Sequence, residues 1–179
     1  MDKVRIGIIG LGNMGTSHAV HITEGKVPRM ELAAICDIAE ARRTYAEEHF
    51  PGVKVFDNAT DMYKSGLLDA VIIAVPHYSH PPLAIEAFSY GLHVMTEKPA
   101  GVYTKQVLEM NEAAKKSGKV FGIMYNQRTN PVYQKIRSMI QRGDLGEIKR
   151  ITWIITNWYR KQSYHDSSAW RSTWKDEGG

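Results

Sequence analysis

Val4-Arg5-Ile6-Gly7-Ile8-Ile9-Gly10-Leu11-Gly12-Asn13-Met14-Gly15 sets the architecture of this chain. A mostly β-branched, apolar run bounded by glycine reads as a buried parallel strand over 3–9. It passes straight into Gly-x-Gly-x-x-Gly, and a helix is expected from about Met14 to Glu24. In that context Gly10 permits a tight turn, Gly12 lets the backbone approach a pyrophosphate, and Gly15 lets helix and strand pack closely. The free N–H groups and dipole of the helix then hold the anion. Gly10, Gly12, Asn13, Met14 and Gly15 are thus the candidate residues around a dinucleotide pyrophosphate.

The second strand, 30–36, ends at Asp37. A carboxylate there is expected to accept hydrogen bonds from the adenosine ribose hydroxyls. Its charge also repels a 2′-phosphate, which favours NAD over NADP. Arg42 and Arg43 follow, and they keep NADP open unless they are only a solvated helix face. Further on, the pattern predicts a helix from Ala39 to His49, a strand from Val53 to Phe56 and a short helix from Asp61 to Lys64. Asp69 to Val75 is the clearest central strand. A helix from Pro82 to Tyr90 stops at Gly91, and a strand spans Leu92 to Met95. A helix from Thr104 to Ser117, with Thr104 as its cap and Gly118 as its stop, leads to a strand from Val120 to Met124. Strict alternation of strand and helix over 1–125 is the pattern of an α/β fold, a doubly wound parallel sheet of Rossmann type.

The composition shifts near Asn126. Pro131 to Gln141 reads as an amphipathic helix with Val132, Ile136, Met139 and Ile140 on one face, followed by a turn at Gly143-Asp144-Leu145-Gly146. Lys149 to Trp158 reads as a long strand of a second sheet. No partner strand follows it, and a lone strand is not stable. Residues 126–179 are therefore expected to be the beginning of a truncated α/β domain. The region 147–160 is expected to self-associate, to be disordered, or to have been cut from a longer protein.

The bulk numbers exclude several classes. The chain has 179 residues, 43 % hydrophobic and 23 % charged, with a net charge of +4. That composition is ordinary for a globular protein. Lys and Arg are spread without a basic stripe, so no nucleic-acid partner is expected. A single cysteine, Cys36, excludes an internal disulfide, and its apolar neighbours predict inert burial. No signal peptide fits ahead of Gly10, and no apolar run nears the roughly 20 residues of a membrane helix. A cytoplasmic location, no membrane partner and no metal are expected.

Two later segments carry chemistry. Val75-Pro76-His77-Tyr78-Ser79-His80-Pro81 leaves the carboxyl end of the central strand, where open α/β sheets bind ligands. Pro76 and His80 are candidates for the nicotinamide half of the cofactor. His77 or His80 could titrate near neutrality, or both could simply cap and pack. Glu97-Lys98-Pro99 ends the next strand, where the reactive ring of the cofactor would lie, so Glu97 and Lys98 are cofactor-binding candidates as well. An ammonium at Lys98 could stabilise a developing alkoxide or pass a proton, with Glu97 positioning it. The other reading is an ordinary surface lysine.

The glycine loop, Cys36-Asp37, Val75 to His80, Glu97-Lys98-Pro99 and Asn126-Gln127-Arg128-Thr129-Asn130-Pro131-Val132-Tyr133 together resemble the Gfo/Idh/MocA oxidoreductases, the relatives of glucose-fructose oxidoreductase and inositol dehydrogenase. The resemblance implies a Rossmann domain followed by an α/β domain with a large open sheet. It also implies NAD(P)-dependent hydride transfer to or from a sugar, cyclitol or related polyol, with Lys98 catalytic. Relatives pair that lysine with an aspartate and a histidine just past a Gly-Gly. Here the sequence ends at Gly178-Gly179, His165-Asp166 is adjacent rather than spaced, and no residue matches the pair. These residues alone are therefore expected to turn over slowly or not at all. The resemblance further places Tyr125, Asn126 and Arg128 on the way to the substrate. It sets Tyr159, Arg160, Tyr164, Trp170 and Arg171 on the substrate side, where packing is the alternative. A homo-oligomer is expected. Two other functions stay open: a nucleotide-binding sensor or regulator without chemistry, and an NAD-dependent glycoside hydrolase of the same family.

Overall fold

β1 (Val4–Ile9) sits between β2 (Met30–Cys36) and β4 (Ala70–Ile73) in a six-stranded sheet. The computed structural model describes residues 3–156, 159–168 and 170–178. Beyond β2 lies β3 (Lys54–Phe56), and beyond β4 lie β5 (His93–Thr96) and β6 (Phe121–Ile123). The order is β3-β2-β1-β4-β5-β6 and every pairing is parallel. The α/β fold read from the glycine loop is therefore the observed one, a Rossmann sheet.

Its strands are apolar without alternation because helices cover both faces. On one face Ile6, Ile8, Ile35 and Ile72 pack with Ala19 and Ile22 of α1 (Asn13–Thr23) and Ala46 of α2 (Glu40–His49). On the other, Ile9, Val71, Ile73 and Val94 pack with Ala84 and Phe88 of α4 (His80–Ser89) and Met110 of α5 (Thr104–Ser117). Cys36 is buried in this second cluster. Burial pushes its thiol up to about 12, so it stays protonated and inert near neutrality.

The helix ends differ from expectation for local reasons. α3 (Ala59–Lys64) starts before Asp61 because the Asn58 side chain accepts the Asp61 N–H at 2.8 Å. α4 starts at His80, with Pro81 and Pro82 in its first turn, where the N–H that proline lacks needs no partner. Thr104 is not the cap of α5 but its first helical residue, and Tyr103 precedes it without a side-chain cap bond. The stop at Gly118 is as read, with φ +66°.

The described residues divide into two compact units. One runs to Met124 and includes the segment from Thr173 on, with the short helix α8 (Trp174–Glu177); the other spans Tyr125–Ser172. In the second unit, α6 (Pro131–Gln141) forms as expected, its first turn capped by Asn130 on the Val132 N–H. The expected strand from Lys149 does not form. Residues 149–156 belong to no strand, and Asn157 and Trp158 lie outside the described residues. The β-branched alternation supplies propensity, but ladder hydrogen bonds require a neighbouring strand. Ile151, Trp153, Ile154 and Ile155 consequently stay 77 %, 63 %, 76 % and 60 % exposed. α7 (Gln162–His165) follows. No helix among the described residues is long and apolar enough to cross a membrane.

Candidate functional site

Because all six strands are parallel, the loops after β1, β2, β4 and β5 leave from one edge of the sheet. Backbone bonds lock their bases together. Gly10 N–H donates to Cys36 O at 2.8 Å, Ala74 N–H to Ile9 O at 2.8 Å, and Glu97 N–H to Ile73 O at 2.8 Å. The candidate residues at 10–15, 37, 76–80 and 97–98 therefore share one rim.

Two glycines of the first loop are fixed by space. Gly10 has φ +88°, and a Cβ there would lie 2.6 Å from Ala74 O. A Cβ on Gly15 would lie 1.8 Å from Gly10 O, so only glycine lets α1 start this close to β1. Gly12 is different. It caps α1 with ordinary backbone angles, and nothing lies within 4 Å of where its Cβ would be. The protein's own packing does not require glycine there. That open ground, beside the unpaired N–H groups that open a helix, suits an anion. Asn13 and Met14 are exposed beside it.

Asp37 reaches across to this loop. Its Oδ2 accepts the Leu11 N–H at 2.7 Å and its Oδ1 the Ala39 N–H at 2.9 Å. Each oxygen keeps a lone pair for an outside donor. Arg43 Nη1 donates to the carbonyl oxygens of Asp37 and Ile38 at 3.0 and 2.8 Å, closing the loop after β2 from below. The residue that sequence reading passed over is Ile38, 89 % exposed directly beside Asp37. An apolar side chain immediately after the acidic strand terminus was the signal in the sequence.

Lys98 is exposed at the end of β5, while Glu97 is 7 % exposed and points inward. Glu97 Oε1 meets His18 Nε2 of α1 at 2.8 Å, and its Oε2 accepts the Lys98 N–H at 3.3 Å. Burial pushes the Glu97 carboxyl up. The His18 bond and charge, together with Lys98, outweigh that and hold it below the usual carboxylate range. Pro76 is exposed on the rim, but His80 is fully buried beneath it. Its ring nitrogens lie 2.7 Å from Pro99 O and 2.8 Å from Val75 O. Burial draws its pKa down more than the two carbonyls draw it up. A neutral ring has one N–H and satisfies one carbonyl at a time. The side chain of His80 therefore lies beneath the rim and ties the loop after β4 to that after β5.

The remaining candidates lie in the second unit. Asn126 and Arg128 are exposed in a 3₁₀ turn, Asn126–Thr129, and Tyr159 is 82 % exposed. Around Tyr164, the guanidinium carbons of Arg160 and Arg171 stand 4.2 and 4.6 Å from the ring centre, and Arg171 also stacks on Trp170 at 4.8 Å. Among the described residues no group of three His, Cys, Asp or Glu side chains could hold a metal ion.

Residues 4–125 match the oxidoreductase family with an NAD-binding Rossmann fold. The chain belongs to the Gfo/Idh/MocA family. It is 29 % identical to inositol 2-dehydrogenase of Corynebacterium glutamicum (strain ATCC 13032) over 166 residues, 92 % of this chain and 49 % of that protein. Among solved structures of the family, the WlbA dehydrogenase from Bordetella pertussis in complex with NADH and UDP-GlcNAcA has a TM-score of 0.87 and 29 % identity. That likeness covers 98 % of this chain and 50 % of the other. Scyllo-inositol dehydrogenase from Lactobacillus casei, with bound NAD(H) and scyllo-inositol, has a TM-score of 0.77 and 28 % identity over 82 % of this chain and 43 % of the other. This chain thus spans about half the length of these relatives.

Two buried groups beneath this rim, His80 and Glu97, make stability fall on acidification. His80 has a lowered pKa, so below about 6.5 the unfolded chain takes a proton that the folded chain resists, and stability declines. Glu97 has a lowered carboxyl, so its contribution is present above the carboxylate range and is lost as pH falls through it. Urea midpoints measured from neutral to acidic pH should fall in both ranges, with the lower step flattened in Glu97→Gln. A midpoint that holds constant or rises on acidification would contradict both assignments.

Proposed function

We propose that the chain is the cofactor-binding part of an NAD-dependent dehydrogenase that moves a hydride between the nicotinamide and a carbinol carbon of a sugar, cyclitol or related polyol. The open ground over Gly12, on the same rim as Asp37 and Lys98, carries this reading. When bound, NAD supplies the hydride acceptor. Gly12 and the first turn of α1, with Asn13 and Met14, receive the pyrophosphate. Asp37 takes the ribose hydroxyls, and Ile38 offers an apolar platform to the adenine face. Pro76 borders the nicotinamide half, and Glu97 and His80 hold the loops beneath it. Lys98 is the acid–base group that takes the proton from the substrate hydroxyl in oxidation and returns it in reduction. Asn126, Arg128, Tyr159, Trp170 and Arg171 are the substrate-side candidates. Of the two related structures, one holds an inositol and the other a UDP-sugar, which supports a polyhydroxylated substrate.

Cofactor choice tests the rim directly. The Asp37 carboxylate should favour NADH over NADPH by about 1–3 kcal/mol, and Asp37→Ser should narrow that preference by roughly tenfold. Fluorescence titration of each reduced cofactor into the chain measures both. A wild-type preference for NADPH would overturn the assignment of Asp37, with Arg42 as the residue then to examine.

A further inference from the structure

The buried pair of His18 and Glu97 takes no direct part in the hydride transfer, yet it joins two parts of the site. His18 lies on the helix whose first turn faces the open ground at Gly12, and Glu97 precedes Lys98. Their side chains are 16 % and 8 % exposed and meet at 2.8 Å. A carboxylate this sheltered, next in sequence to a lysine, has two partners within its reach, although in the structure it pairs with His18 and meets Lys98 only at the backbone N–H. Held by His18, it faces α1; released, it is free to pair directly with the ammonium of Lys98, whose own amide already donates to Oε2. His80 grips the other side of the same segment through Pro99 O, so Glu97 can change partner without the loop itself having to move.

We propose that His18 is a positioning residue for Lys98: by holding the Glu97 carboxylate on α1, it keeps that carboxylate from pairing directly with the Lys98 ammonium and leaves the amine free to exchange a proton. This rests on the reading of Lys98 as the acid–base group. It assigns His18, four positions beyond the glycine loop's Met14, to the chemistry of a loop far away in sequence. His18 stands about one turn beyond Met14 on α1, so the test reads NADH affinity alongside the lysine.

The test reads Lys98 itself, without turnover. The chain is acylated with limiting N-hydroxysuccinimidyl acetate at constant neutral pH. Lys98 modification is quantified by peptide mass spectrometry against Lys105, whose side chain is 87 % exposed on α5. In His18→Ala, Glu97 turns its charge on Lys98, and relative acylation should fall about threefold or more. His18→Gln, whose amide can donate the same bond, should restore it to near the wild-type rate. Glu97→Gln removes the charge and should move the rate the opposite way, above wild type. A role confined to packing would lower the melting temperature and leave these ratios unchanged. Equal Lys98 acylation in all four folded proteins would overturn the proposal, as would a fall in NADH affinity beyond about threefold in His18→Ala, which would place His18 in the cofactor site instead. If His18→Ala fails to fold, His18→Leu, which fills the space but cannot donate to Glu97, is read in its place: relative acylation should again fall, and a wild-type ratio would overturn the proposal. Absence of NADH binding by wild type would instead count against the dehydrogenase reading, and the acylation ratios would still report on His18.

Discussion

Gly12→Val should weaken NADH binding by about a hundredfold or more and leave the fold standing. Gly12 has ordinary backbone angles and nothing within 4 Å of its Cβ position, so a side chain there meets no protein atom. It would meet the pyrophosphate, which has to approach the backbone to hydrogen-bonding distance. Losing two charge-assisted bonds at about 1.5–3 kcal/mol each accounts for a hundredfold or greater loss. Gly15 offers the contrast. A Cβ there sits 1.8 Å from Gly10 O, so substitution breaks the packing of α1 on β1 and binding is lost with the fold. Calorimetric titration of NADH, with a thermal melt of the same sample, separates the two effects. A Gly12→Val protein that binds NADH within threefold of wild type would remove the pyrophosphate from this loop.

Lys98→Ala, made in the complete enzyme, should lower turnover by roughly 10²–10⁴, the usual contribution of a positioned acid–base group. NADH affinity should change little, because Lys98 is exposed at the end of β5 and bonds to none of the residues around Gly12 and Asp37 among those described. The loss should appear in kcat rather than in the substrate KM, since the proton is needed only as the hydride leaves. Full retention of turnover in Lys98→Ala would favour the alternative of a nucleotide-binding sensor that does no chemistry.

The candidate site divides into parts that the chain's own pattern revealed and parts that it hid. Gly10, Gly12, Gly15, Asp37 and Lys98 were legible because each follows an apolar strand by a fixed, local rule: strand, tight turn, helix, or strand and then a terminal charged residue. The long-range contacts of His18 and His80 were not legible. His18 pairs with a residue 79 positions away, and His80 with a carbonyl 19 positions away, and no local periodicity encodes either contact. Ile38 lay between these cases, since its neighbour was recognised and its exposure was not.

What the sequence determined by itself was the order of strands and helices through Met124 and the rim on which the chemistry-bearing residues would meet. Those follow from hydrophobic period and glycine spacing, which act within a few residues. Where α3 and α4 begin was settled by a single cap and by prolines in the first turn. The segment Lys149 to Thr156 was settled by the lack of a neighbouring strand among the described residues. Its alternating Ile and Trp are as β-prone as β1, but a strand exists only once another backbone accepts its hydrogen bonds. That is a tertiary condition, and β1 meets it on both sides, with β2 and with β4.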